Sequence, residues 1–181
     1  MNREEYREIV LRHKDRVYSY ASYLLSNKED ARDVAQESLV RLWQNRAKVP
    51  AEGGAAKAWL TRTAHNLCMD RLRLRSSRPE TGAEILEYRP APPEAGGADP
   101  DVEIYGEQLR ERIREALAEL SPRDRAVIVM REVQGLSYEE MTAHLSLPMG
   151  TLKAVIHRAR HRLREKLLEI GLPARASERA L

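Results

Sequence analysis

The feature that most limits what this chain can fold into is a break in its middle. Between Ser76 and Asp101, five prolines (Pro79, Pro90, Pro92, Pro93 and Pro100) and three glycines fall within 26 residues. Proline removes backbone donors and glycine loosens the chain, so neither a helical nor a strand period persists there. Such a stretch favours an extended, hydrated chain that buries too little surface to fold alone. The residues on either side must form separate cores, and 181 residues suffice for two small domains. The expected architecture is all-α: a first helical domain over 1–75, a linker over 76–102, a second helical domain over 103–170 and a short tail over 171–181.

In the first unit Tyr6, Ile9, Val10, His13, Val17, Tyr20, Ala21 and Leu24 recur at three- and four-residue spacing, the stripe of an amphipathic helix ending near Leu25. Ser26 followed by Glu29 reads as a capping box opening a second helix. Its core side would be Ala31, Val34, Ala35, Ser38 and Leu42, with Asp33, Gln36, Glu37 and Val40 facing away. After a loop with Pro50, Gly53 and Gly54, a third helix is predicted from Ala55 to Leu74. It turns Leu60, Ala64, Leu67 and Leu74 inward and Arg62, His65, Asn66, Met69 and Arg73 outward.

The second unit is predicted to open with a helix from Val102 to Leu120, with Ile113, Ala116, Leu117 and Leu120 inward. Ser121-Pro122 then supplies an N-cap serine and a first-turn proline for a helix carrying Ala126, Val127, Met130 and Val133, stopped at Gly135. Ser137 and Glu140 form a capping box for a short helix to Leu145, and Leu147-Pro148-Met149-Gly150 turns into a last helix. There Leu152, Val155, Ile156, Ala159, Leu163 and Leu167 make the buried stripe, while Lys153, Ala154, His157, Arg158, His161 and Arg164 face outward.

Charge is concentrated rather than large. The net charge is +3, yet Lys57–Arg78 holds six basic residues against Asp70, a net of +5, and Met149–Lys166 holds six against Glu165, again +5. The remainder sums to −7. Two basic blocks, each on a helix with one apolar side, are the distribution expected of a nucleic-acid-binding protein. No apolar run approaches a membrane span, and the charged start, MNREEYREIV, is unlike a signal peptide, so a soluble, cytoplasmic chain without membrane insertion is expected. The single cysteine, Cys68, excludes an internal disulfide and a multi-cysteine zinc site.

A short capped helix, a tight turn and a longer basic helix are the parts of a helix-turn-helix, whose second helix enters the major groove N-terminus first. An ordinary three-helix bundle shares this outline, but not the basic outward face. Lys153, His157 and Arg158 lie in the first two turns, within reach of base edges, while Arg160, Arg162 and Arg164 further along suit phosphates. Thr151 could cap the helix or hold a phosphate.

These residues also carry a family resemblance. YEEMTAHLSLPMGTLKAVIHRARHRLREKL resembles region 4, the promoter-binding domain of extracytoplasmic-function sigma factors. Glu140, Gly150, Thr151, Lys153, Arg158, Ala159 and Arg160 match the family pattern. Met141-Thr142, Ala154 and Val155 depart from it, the last two standing where serine and arginine are usual. DARDVAQESLVRLWQ resembles region 2, which grips the clamp helices of the polymerase's largest subunit. The resemblance implies Asp33, Gln36, Glu37, Val40 and Trp43 as core-polymerase-binding residues, although Trp43 could equally belong to the protein's own core. AWLTRTAHNLCMDRLR resembles the following segment, which opens the -10 element and holds a flipped base. Lys57, Trp59, Arg62, Thr63, His65, Asn66 and Arg73 are the residues implied there, with the loop from Asn45 to Gly54 as a pocket wall. For the -35 element they are Thr151, Lys153, Ala154, His157, Arg158, Arg160, His161 and Arg162.

The resemblance implies core RNA polymerase, at its clamp helices and flap, promoter DNA and an anti-sigma protein as partners. Neither a cofactor nor a metal is expected. His157 and His161 have the spacing of a metal pair, but no third ligand accompanies them and the neighbouring arginines repel a cation. No phosphate-binding glycine loop or nucleophile elbow occurs, so catalysis by this chain alone is not expected. A stand-alone helix-turn-helix regulator is the alternative, but it accounts for neither the basic third helix nor the acidic face of the second.

Overall fold

The computed structural model describes residues 1–51, 54–77, 109 and 111–171. The body of the proposed linker, the start of the helix expected from Val102, Gly53 of the loop and nearly all of the tail lie outside them. Among the described residues every regular element is a helix. They are α1 (Arg3–Leu25), α2 (Lys28–Gln44), α3 (Ala55–Ser77), α4 (helical over 111–118), α5 (Pro122–Ile128), α6 (Tyr138–Leu145) and α7 (Met149–Glu169), with a π turn over Val129–Val133.

The first three helices pack on one another. The α1 side chains Ile9, Val17, Tyr20, Ala21 and Leu24 meet the predicted α2 stripe of Ala31, Val34, Ala35, Ser38 and Leu42, closed by Ala56, Leu60, Ala64 and Cys68 of α3. Ser38 is fully buried at low cost, because its hydroxyl donates to the Val34 carbonyl at 2.7 Å. Truncating a core side chain such as Leu42 to alanine is expected to cost about 2–5 kcal/mol.

Two expectations here are corrected. Ser26 does not open α2. It ends α1 in the left-handed region (φ +51°), and the Asn27 side chain caps α2 by accepting from the Asp30 amide at 2.9 Å. Leu74 is not inward. The helix continues to Ser77, and Leu74 is 64% exposed, because its last turns run past the end of α1 and α2. There Arg71 and Arg75 reach back to Asp30, and Arg75 also donates to the Leu25 carbonyl, so ion pairs rather than apolar contacts fasten the end of α3.

In the second unit Ser121 caps α5 with Pro122 in its first turn, and Ser137 with Glu140 makes the capping box of α6, both as the sequence predicts. Between them the helix widens: the Gln134 amide donates to the Val129 carbonyl at 2.9 Å, a five-residue step, and the chain turns away through Gly135 at φ +60°. This extra residue rotates Val133 out of the core, where it is 40% exposed rather than inward.

All residues from Asp124 to Met130 are buried, because α5 and its π turn pack on α7 on one side and on α1 and α3 on the other. The two units therefore lie against each other. Arg125, 8% exposed, sits at this junction: its guanidinium donates to the carbonyls of Leu24 (2.7 Å), Ala118 (2.6 Å) and Leu120 (3.3 Å), placing a cation on the free C-terminal carbonyls of two helices.

Candidate nucleic-acid and partner interfaces

Three surfaces gather the residues singled out by sequence. On α2, Asp33, Gln36, Glu37 and Val40 are exposed along one face. Arg71 lies 3.5 Å from Asp33, and Arg41 pairs with Glu37 at 2.7 Å. Val40, 43% exposed, is an apolar spot within this acidic surround. Trp43 is not on the open face. It is half-buried, its ring 4.9 Å from Tyr6 and under the Arg46 guanidinium at 4.3 Å, while the Tyr6 hydroxyl donates to the Leu39 carbonyl.

On α3 the candidate set divides. Arg62, Asn66 and Arg73 are exposed, whereas Trp59, Thr63, Lys57 and His65 are half-buried, Trp59 packing on the core edge. Arg73 pairs with Asp70 at 3.2 Å. The His65 ring accepts or donates a hydrogen bond with the Tyr20 hydroxyl at 3.0 Å. Burial, with His144 and Arg73 nearby, holds its pKa down to about 4, so the ring is neutral at physiological pH. Lys57 and Arg62 both turn toward α6: the Lys57 ammonium lies 3.6 Å from Glu140, and Arg62 donates to the Ala143 carbonyl.

Beside Lys57 a cleft of about 430 Å³ opens between α1 and the end of the preceding loop, lined by Glu5, Glu8, Arg12, His13, Ala51 and Gly54 among others. The loop was expected as a pocket wall, but the α1 residues opposite it were not. Glu5, Glu8 and Arg12 lie between members of the apolar stripe, and no one-helix pattern shows what lies across from them.

On α7, Thr151, Lys153, Ala154, His157, Arg158 and His161 are exposed, and Leu152, Val155, Ile156, Ala159, Leu163 and Leu167 are buried as predicted. Thr151 does not cap: Pro148 holds the N-cap position and no side chain closes that end. Arg160 and Arg162 are committed within the domain. Arg160 donates to Glu132, one of its bonds at 3.0 Å, and Arg162 pairs with Asp124, which is buried beside the capping hydroxyl of Ser121. Both fasten α7 to the π turn and α5, so reaching a phosphate would require giving up a carboxylate that is half-buried at Glu132 and buried at Asp124. His161 lies 3.5 Å from Glu165.

Sequence reasoning missed Arg16, Arg125, Gln134 and His144, which join the two units. Gln134 exchanges contacts with Arg16, its backbone carbonyl accepting from the guanidinium and its side chain donating to the Arg16 carbonyl at 3.4 Å. A signal was present for the α5 side: Ala126 to Met130 is apolar on every side, the mark of a helix buried all round.

Comparison with known proteins agrees with this layout. Residues 9–78 match the family Sigma-70 region 2, and residues 110–163 match Sigma-70, region 4. The ECF RNA polymerase sigma factor SigE of Mycolicibacterium smegmatis is 36% identical over 160 residues, covering 88% of this chain and 60% of that protein's length. The RNA polymerase sigma-E factor of Streptomyces antibioticus is 33% identical over 97% of this chain and 91% of its own. In fold the chain resembles the sigma factor RpoE from Bartonella quintana, solved with the anti-sigma factor NepR, at a TM-score of 0.68 and 24% identity over 93% of this chain and 99% of that one.

Proposed function

The chain belongs to the extracytoplasmic-function sigma factors of RNA polymerase, and from that premise we propose that it directs promoter-specific transcription initiation through the three surfaces described above. The exposed α2 face, with Asp33, Gln36 and Glu37 around Val40, docks on the clamp helices of the largest polymerase subunit, Trp43 holding that face against α1. An acidic rim around an apolar centre suits a protein partner better than open solvent.

The α3 face meets the -10 element. Arg62, Arg73 and Lys57 supply cations for the displaced strand. Asn66, Thr63 and His65 supply polar groups, and Trp59 supports the helix from behind. The neutral His65 ring donates or accepts without adding charge. The cleft beside Lys57 has the dimensions of a nucleotide-sized pocket and receives the flipped base. The observation that carries the -35 reading is the exposure of Lys153, Ala154, His157 and Arg158 in the first turns of α7, directly after a capped α6 and a tight turn. Amides at that helix end favour a phosphate, with Thr151 beside them. Lys153, His157 and Arg158 reach base edges, and His161 follows the backbone. Arg160 and Arg162 act by holding the helix in place. The second domain also contacts the polymerase flap.

An anti-sigma protein is a further proposed partner, by likeness to the sigma factor RpoE from Bartonella quintana, which was solved in complex with the anti-sigma factor NepR. Run-off transcription with purified core polymerase, with and without the chain, on promoter fragments of its own genome tests the proposal. Initiation that depends on the chain is expected. Absence of transcription and of co-elution with core enzyme, together with tight binding to duplex DNA alone, would overturn it in favour of a stand-alone regulator.

A further inference from the structure

The two carboxylates on the exposed face of α2 are held differently by the rest of the fold. Glu37 is taken up on its own helix, accepting from Arg41 at 2.7 Å. Asp33 meets the Arg71 guanidinium of α3 at 3.5 Å, and its side chain is 62% exposed. That contact is looser than a charge-assisted hydrogen bond, which runs at about 2.7–2.9 Å. Asp30, one turn earlier on α2 and 27% exposed, holds Arg71 at that distance. One of its oxygens accepts from Arg71 and the other from Arg75, which also donates to the Leu25 carbonyl at 3.1 Å. Three residues apart on a helix, Asp30 and Asp33 stand side by side within reach of the same guanidinium. The less exposed of the two is the less screened, and it takes the cation.

We propose that Asp30 is a positioning residue for polymerase docking: by holding Arg71, it keeps the Asp33 carboxylate open to a cation of the partner. The inference rests on the assignment of the α2 face to the clamp helices. An acidic face draws a cationic partner, and a carboxylate paired within its own chain has to give that pair up on docking. Asp33 pairs loosely and gives up little. Without Asp30, Arg71 would swing onto Asp33 and close it into an ordinary intramolecular ion pair. Arg75 is less able to do so, being one turn further along α3 and tied to the Leu25 carbonyl. Neither arginine is among the residues assigned to the -10 strand.

The test measures how well full-length variants displace a fluorescently labelled parent chain from purified core polymerase. Asp30→Asn keeps the shape of the side chain and removes its charge. It should bind core polymerase about threefold more weakly, the scale of one exposed ion pair. Adding Arg71→Gln should restore parental affinity, because the competitor for Asp33 is then gone. Adding Arg75→Gln instead restores the net charge equally but leaves Arg71 free to swing, and should not restore binding. Arg71→Gln alone should bind at least as tightly as the parent chain.

Parental affinity in Asp30→Asn would overturn the proposal. So would recovery with Arg75→Gln, which would reduce the effect to net charge, or no recovery with Arg71→Gln, which would make Asp30 a merely structural residue. Should Asp30→Asn lose its helical dichroism, Arg71→Gln alone decides: binding weaker than the parent chain's would mean that Arg71 aids docking, and the proposal fails. Asp33→Ala with Glu37→Ala, run alongside, checks the α2 assignment itself. If that variant displaces the labelled chain as well as the parent does, the docking face lies elsewhere and the positioning role falls with it. If it is weakened while Asp30→Asn is not, the docking face stands and the role of Asp30 alone fails.

Discussion

Arg125 is the residue whose replacement reports most directly on how the two units are held. Its guanidinium makes three hydrogen bonds, two to carbonyls of the second unit at Ala118 and Leu120 and one across the junction to Leu24. A bond from a charged donor contributes about 1.5 kcal/mol net at the low end. Arg125→Ala should therefore cost about 4–5 kcal/mol, a large part of the 5–15 kcal/mol typical of a domain. About 3 kcal/mol of that falls on the second unit and the rest on the junction. Arg125→Lys, which keeps the cation and one bond, should lose about half as much. The assay is urea denaturation followed by two probes. Both tryptophans, Trp43 and Trp59, lie in the first unit, so their fluorescence reports that unit alone, whereas far-ultraviolet circular dichroism reports all helices. For Arg125→Ala the dichroism midpoint should fall well below the fluorescence midpoint. A loss under about 1 kcal/mol, or two transitions that move together, would refute the assignment of Arg125 as the clasp between α1, α4 and α5.

Further outcomes follow from the other surfaces. Arg158→Ala should weaken specific promoter binding by about 1–3 kcal/mol in a holoenzyme band-shift titration while leaving the melting temperature unchanged, since the side chain is exposed. Asp33→Ala with Glu37→Ala should leave the helical dichroism intact and reduce co-elution with core polymerase; undiminished co-elution refutes the α2 assignment. Arg162→Ala, by contrast, should lower the stability of the second unit, by about 1–3 kcal/mol in the same urea assay, because it leaves Asp124 buried without its cation. His65 gives a pH signature. Tyr20 from α1, His144 from α6 and Arg73 on its own helix face it, and its folded pKa lies near 4 against 6.5 when free. The folded chain holds the neutral ring, so this stabilisation is complete above pH 6.5 and is lost, up to about 3 kcal/mol, as pH falls toward 4. Thermal melts across that window should show a smaller loss for His65→Gln than for the parent chain.

Much of the architecture was legible because amphipathic stripes are local. The core positions from Val17 to Leu42, the caps at Ser121 and Ser137 and the buried stripe of α7 follow from spacing alone. What escaped was decided between elements. Ser26 and Asn27 are both good caps, and only the left-handed geometry at the end of α1 selects the second. Arg160 and Arg162 read as phosphate ligands from their outward angle, yet they meet Glu132 and Asp124 across the domain, partners separated by 28 and 38 residues in the chain. The junction itself had no periodic signature beyond the apolar run in α5, since its donors, Arg16, Arg62 and Arg125, bond backbone carbonyls that every sequence possesses.

The widened turn over Val129–Val133 also limits how this chain can change length. Each helical residue advances the chain by about 100° around its axis, and the turn absorbs one residue without breaking the helix. Deleting a single residue there would restore an ordinary helical step and rotate Glu132 away from Arg160. It would also re-aim Gly135, α6 and α7 relative to the face that α5 presents to α1. A one-residue deletion at this point should thus do more harm to transcription than the loss of several residues from the proline-rich stretch between the units.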